Sequence, residues 1–180
     1  MSDSWVFGYG SLIWRPSFVY AERVPARLDG WVRRFWQGSE DHRGTPEFPG
    51  RVATLLRWPG KSCLGVAYRL DDSAASVALA HLDVREVGGY QRERVPLVGE
   101  DGEPLCEATT WVATTANPHF LGMTEPSAMA TQIQRAHGPS GSNREYVLEL
   151  ADALRAVGEA EDDQTFALES LLLELQPAAD

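Results

Sequence analysis

The feature that most limits the folds open to this chain is a change in hydrophobic period partway along it. Over the first two thirds, apolar residues come in short runs rich in β-branched and aromatic side chains, broken by Gly and Pro; over the last third they recur at helical spacing. Strands are expected at Trp5–Tyr9, Ala26–Gln37, Val52–Arg57, Cys63–Arg69, Tyr90–Val98 and Ala108–Val112, with Pro49-Gly50, Pro59-Gly60 and Glu100-Asp101-Gly102 as turns. One helix interrupts them, from about Ser73 to Arg85 or slightly beyond, and Gly88-Gly89 ends it. Thr124 then caps a helix with Pro126 in its first turn, stopping at His137-Gly138-Pro139. Ser142-Asn143-Arg144-Glu145 has the form of a capping box and opens a helix striped by Val147, Leu150, Leu154 and Val157. A last helix carries Leu168, Leu171, Leu172 and Leu175. The fold class is α+β: a small mixed or antiparallel sheet, curled or closed, with helices packed outside.

At 180 residues the chain can bury one full core, so residues 1–180 are expected to form a single domain. A net charge of −10 speaks against a nucleic-acid partner, because phosphate binding draws on Lys and Arg. No run reaches the roughly 18 apolar residues of a membrane span, so no membrane partner is expected. The N-terminus lacks a basic stretch ahead of an apolar segment, and the expected location is the cytoplasm. In that reducing compartment Cys63 and Cys106 are expected as thiols rather than a disulfide.

Four places can carry chemistry. On the first helix Ala75, Leu79 and Leu82 form an inward stripe whose next member, four residues on, is Glu86. A carboxylate there is either paired with Arg85, Arg92 or Arg94, or left in water by fraying of the helix end, or is functional with a pKa raised by burial. Val6-Phe7-Gly8-Tyr9-Gly10-Ser11-Leu12 ends an apolar strand on two glycines and a serine; it is either a tight turn or a nest of N–H groups for an anion. Ile13 stands where a dinucleotide fingerprint needs its third glycine. Gln37 to Gly44, with His42 and Arg43, and Pro49-Gly50-Arg51 place cations in Gly-rich loops suited to a carboxylate. Gly138 to Asn143 offers donors at a helix N-terminus; it and the two arginine-bearing segments read equally as ordinary loops. Ser11, His42 and Asp41 supply the residue types of a hydrolase triad, but no Gly-x-Ser-x-Gly elbow accompanies them. The four histidines fall at no zinc-ligand spacing, so no metal is expected.

Six segments, in order, resemble the ChaC-like γ-glutamylcyclotransferases. They are Val6 to Trp14, Arg34 to Ser39 with Asp41 to Gly44, Pro49 to Val52, Gly65 to Arg69, Leu82 to Glu86 followed by Gly88-Gly89-Tyr90, and Gly138 to Gly141 with Asn143 and Glu145-Tyr146. The resemblance runs from about Trp5 to Leu175 and departs near the site at Val87, where relatives often carry lysine. It implies a small β-barrel flanked by helices, glutathione as substrate, and cleavage to 5-oxoproline and Cys-Gly with no metal or organic cofactor. It also implies Glu86 as general base, Val6 through Leu12 as the substrate loop, and Tyr146 near the bound ligand, with Arg43 in an adjoining loop. Two rival readings stay open: the same chemistry on other γ-glutamyl amines or dipeptides, and a silent glutathione-binding module.

Overall fold

Five strands close into a barrel in the computed structural model, which describes residues 4–71, 73–85 and 88–175 and, at Arg85, the backbone alone. They are β1 (Trp5–Gly8), β2 (Tyr20–Ser39), β3 (Gly50–Leu70), β4 (Gln91–Val98) and β5 (Pro104–Val112), in the spatial order β1-β3-β2-β4-β5. The pairs are antiparallel except at the closure, where Trp5 and Val6 of β1 lie parallel to Ala108 and Thr109 of β5. The barrel is therefore mixed, and closure leaves no open sheet edge among these strands.

Two expected strands prove to be one. Val52–Arg57 and Cys63–Arg69 belong to the continuous β3, which pairs with β2 along nearly its whole length. Pro59-Gly60 is not a turn between strands. It lies in a protruding bulge where the register jumps from Trp31↔Arg57 to Asp29↔Ser62. Gly60 and the facing Gly30 both take φ of 79°, a conformation that admits glycine without a Cβ penalty.

The period-2 alternation of β1 divides the core. Phe7 joins the main cluster with Leu28, Phe35, Leu55 and Val66, while Val6 points the other way, toward Leu12, Leu70, Leu82 and Trp111. That second cluster lies beneath α1 (Ala75–Arg85), which packs on it through the expected stripe of Ala75, Leu79 and Leu82 and through Ala78 as well. Glu86, the next member of the stripe, lies with Val87 outside the described residues.

The helical third is α2 (Pro126–Arg135), α3 (Asn143–Ala156) and α4 (Asp163–Glu174), with a two-stranded ladder of β6 (His137–Gly138) and β7 (Gly141–Ser142) between α2 and α3. Val147, Leu150 and Leu154 of α3 and Leu168 and Leu172 of α4 are fully buried against the barrel. Ser142 caps α3 by accepting the Glu145 N–H at 3.1 Å. The expected cap of α2 is corrected: Glu125, not Thr124, occupies that position and caps with no side chain. Pro126 at N1 fixes φ and carries no N–H, so the helix start needs one acceptor fewer. Both cysteines are free thiols. No described helix is long and apolar enough to cross a membrane.

Candidate active site

β1 stops at Gly8, and the chain leaves the barrel through Tyr9 and Gly10 into a 3-10 turn, Ser11–Ile13. Ile13 N–H returns to Gly10 C=O at 2.9 Å, and Arg15 N–H to Ser11 C=O at 2.8 Å. The leading N–H groups of such a turn have no partner within it. Glycine is needed at position 8, because a Cβ there would stand 2.7 Å from the Cβ of Leu12.

Three buried side chains hold this loop by its carbonyls. Thr110 Oγ1 donates to Phe7 C=O at 2.9 Å, Tyr68 O–H to Leu12 C=O at 2.6 Å, and Arg33 Nε to Tyr9 C=O at 2.6 Å. Arg33 is fully enclosed; its other nitrogens bond Leu64 C=O and pair with Asp162. Burial works to lower the Arg33 pKa, but its neighbours Cys63, Asp162 and Glu159 outweigh it and the guanidinium stays charged.

The loop forms one wall of a cleft of about 340 Å³. Phe7, Tyr9, Gly10, Ser11 and Leu12 line it, opposite Arg43, Ala53 and Tyr146, with Trp14, Trp111 and Thr110 adding apolar and hydroxyl surface. The Tyr146 hydroxyl accepts Ala53 N–H at 3.2 Å and faces Gly10, where a Cβ would lie only 3.1 Å from it. Gly88 and Tyr90 also line the cleft. They flank residues 86–87 on the C-terminal side, so the chain reaches the cleft immediately after α1 and those two residues.

The Gly-rich loops enter differently from expectation. Gly38, Ser39, Asp41, His42 and Arg43 border the cleft, as does Ser140 of the β6–β7 turn. Arg43 is buried under the ring of Tyr146, 5.6 Å from its centroid, and its Nη1 donates to Glu145 Oε2 and Ser142 C=O, each at 3.0 Å. Glu149 lies 3.8 Å from Nη2 and accepts Trp14 Nε1–H at 2.9 Å. The charge of Arg43 is thus already met by two carboxylates. Arg51 is not in the cleft at all. It is buried, donating to Phe35 C=O and Gly122 C=O at 3.1 Å and to Gln132 Oε1 at 2.6 Å, and burial lowers its pKa.

Of the expected site residues, Phe7, Tyr9, Gly10, Ser11, Leu12, Arg43 and Tyr146 converge on one cleft. Gly8 shapes the loop from behind. Val6, expected in the substrate loop, does not line the cleft, its side chain being buried beneath α1. His42 bonds Ser140 Oγ through Nδ1 at 3.2 Å and stands 3.8 Å from Asp41. Among the described residues, no three His, Cys, Asp or Glu side chains converge where a metal could sit. Tyr90, Trp111 and Arg33 were missed as site residues. The alternation of β2 carries a faint signal for Arg33, which shares a face with the inward Trp31 and Phe35.

Residues 4–175 match the family described as ChaC-like protein. Among curated relatives, human glutathione-specific gamma-glutamylcyclotransferase 1 is 44% identical over 167 residues, covering 91% of this chain and 75% of that protein. The glutathione-specific gamma-glutamylcyclotransferase of Schizosaccharomyces pombe is 39% identical, covering 92% and 90%. Among solved structures, a γ-glutamyl cyclotransferase specific to glutathione from yeast superposes with a TM-score of 0.89 at 31% identity, over 97% of each chain.

Proposed function

The chain belongs to the ChaC-like protein family, and from that premise we propose how its residues carry the family's reaction. It is a glutathione-specific γ-glutamylcyclotransferase: the α-amine of the γ-glutamyl group attacks its own side-chain amide carbon. The new N–C bond closes a five-membered lactam, the C–N bond to cysteine breaks, and the products are 5-oxoproline and Cys-Gly. The proton lost by the attacking amine reappears on the amine of the leaving Cys-Gly, so no water is consumed.

Both reacting groups lie on one molecule, so the protein's first task is to hold the curled conformer. The loop Gly10 to Leu12 receives the α-carboxylate through backbone N–H groups, and the aromatic wall of Phe7, Trp14 and Tyr146 excludes water around it. Glu86 is the general base and then the general acid. The observation that carries this assignment is that Gly88 and Tyr90, just beyond Glu86, line the same cleft as Gly10 and Ser11. An α-ammonium near pKa 7.7–8.0 gives its proton to an ordinary glutamate, near 4.3, at a cost of roughly 5 kcal/mol. The assignment therefore calls for a base stronger than an ordinary carboxylate. Tyr146, whose hydroxyl accepts Ala53 N–H and faces Gly10 in the cleft, is assigned to the oxyanion. We infer a cytoplasmic location, a reading that the two free thiols and a glutathione substrate support.

The test is Glu86→Gln incubated with glutathione while 5-oxoproline and Cys-Gly are followed by mass spectrometry. Loss of turnover by at least about a hundredfold is expected, with the melting temperature unchanged. Near wild-type turnover in the folded variant would sink the base assignment.

A further inference from the structure

The buried arginine of β2, Arg33, has no part in the reaction as written, yet its contacts reach the substrate loop. Arg33 is 1% exposed and bridges three segments: Tyr9 C=O in the loop, Leu64 C=O in β3, and Asp162 at the head of α4. Asp162 is bound twice, since its other oxygen caps α4 by accepting Thr165 N–H at 3.0 Å.

The geometry points to Arg33 as a positioning residue for the cyclisation, one that locks the Tyr9–Gly10 peptide plane with the Gly10 N–H turned toward the substrate. A peptide is rigid and planar, and its C=O and N–H point in opposite directions. Arg33 Nε holds the Tyr9 carbonyl from the enclosed side at 2.6 Å. The N–H of Gly10 on the same plane is therefore presented away from Arg33, on the side where Gly10 borders the cleft. Tyr9 O–H donates to Trp111 C=O at 2.7 Å and Gly10 C=O accepts Ile13 N–H at 2.9 Å; these bonds hold the ring and the next peptide, whereas the Arg33 bond acts on the Tyr9–Gly10 peptide itself. Gly10 has no Cβ to restrict its torsions, and β1 ends at Gly8, two residues before it. The charge also matters: a cation on the carbonyl polarises the peptide and strengthens its N–H as a donor to an anion. Asp162 completes the device by keeping the guanidinium charged and aimed, which couples the first turn of α4 to the loop.

This inference rests on the reading that the loop grips the γ-glutamyl α-carboxylate, and its test separates the two. Arg33→Lys keeps the charge but cannot reach three acceptors from one ammonium. Asp162→Asn keeps the cap, since Asn caps as well as Asp, and removes only the counter-charge. Each is compared with wild type for kcat and KM on glutathione, for melting temperature, and for hydrogen exchange of the peptide spanning residues 7–14. For Arg33→Lys we expect faster exchange in that peptide and a KM raised about tenfold, with kcat changed much less. For Asp162→Asn we expect the same pattern at about threefold. Should Arg33→Lys fail to fold, Asp162→Asn carries the test alone. Unchanged exchange in residues 7–14 beside a lowered melting temperature overturns the lock and leaves the loop's grip standing. Faster exchange with an unchanged KM overturns the grip, and the positioning role with it.

Discussion

The sharpest quantitative expectation concerns Asn143, which sews α3 to the start of β3. Its side chain is fully buried and bonds both backbone groups of Arg51: Oδ1 accepts the N–H at 2.6 Å, and Nδ2 donates to the C=O at 2.7 Å. The amide thus pairs with β3 as another strand would. Asn143→Ala removes both bonds and leaves a buried N–H and a buried C=O without partners. Each such loss costs about 1–3 kcal/mol, so the pair costs about 2–6 kcal/mol. At about 2–4 °C per kcal/mol for a chain of this size, the melting temperature should fall by about 4–24 °C.

A second substitution tests the cause rather than the size. Asn143→Asp keeps the acceptor for Arg51 N–H but sets a carboxylate oxygen against Arg51 C=O, which is also an acceptor. Protonating that oxygen restores a donor, so the folded state should favour the protonated acid and raise its pKa. The deficit of the variant relative to wild type should then be full at neutral pH and shrink as pH falls toward 4. Thermal melts by circular dichroism across that range, wild type beside both variants, are the assay. Tyr146 follows one turn after Asn143, so a slackened α3 should also raise KM for glutathione. A fall of less than about 2 °C for the alanine variant, or a deficit of the aspartate variant that ignores pH, refutes the argument.

Two further outcomes follow from single contacts. Gly10→Val places its first added carbon 3.1 Å from the Tyr146 hydroxyl and its methyl groups in the mouth of the cleft, so KM for glutathione should rise at least about tenfold while the fold persists; an unchanged KM refutes the placement of the substrate there. Burial pushes the Cys63 thiol from an ordinary 9.0 up to about 11, which means the folded chain holds that proton more tightly than the unfolded one. Its contribution is complete below pH 9 and is lost as pH rises toward 11, by about 3 kcal/mol. Urea midpoints on either side of pH 9 should therefore fall less steeply for Cys63→Ala than for wild type, and equal slopes exclude the thiol as the cause.

What could be read from the chain ahead of its structure divides along physical lines. Local rules were legible: the helical stripe Val147, Leu150, Leu154, the Ser142 cap and the stripe on α1 all depend on residues a few positions apart. Long-range pairing was not. Pro59-Gly60 has the composition of a turn, and only the facing Gly30 makes it a bulge in one long strand. The parallel contact of β1 with β5, which closes the barrel, leaves no local mark. The order of loop motifs and the family resemblance gave the cleft its cast, but not the state of its charges. The arginines of the Gly-rich loops were read as grips for a carboxylate. In the structure Glu145 and Glu149 engage Arg43, and backbone carbonyls enclose Arg51. Sequence shows that a cation is present, not which acceptor it meets.

That correction bears on the chemistry. With Glu86 as the proposed base, the reaction brings an α-ammonium beside a carboxylate, and a bare guanidinium in the same cleft would repel the first and weaken the basicity of the second. An anion site made of backbone N–H groups binds the α-carboxylate with partial charges that fall off over a short distance. On this view Arg43, paired with Glu145 and close to Glu149, braces Tyr146 through its ring contact with its charge partly offset, and Arg33 acts behind the loop through one peptide plane.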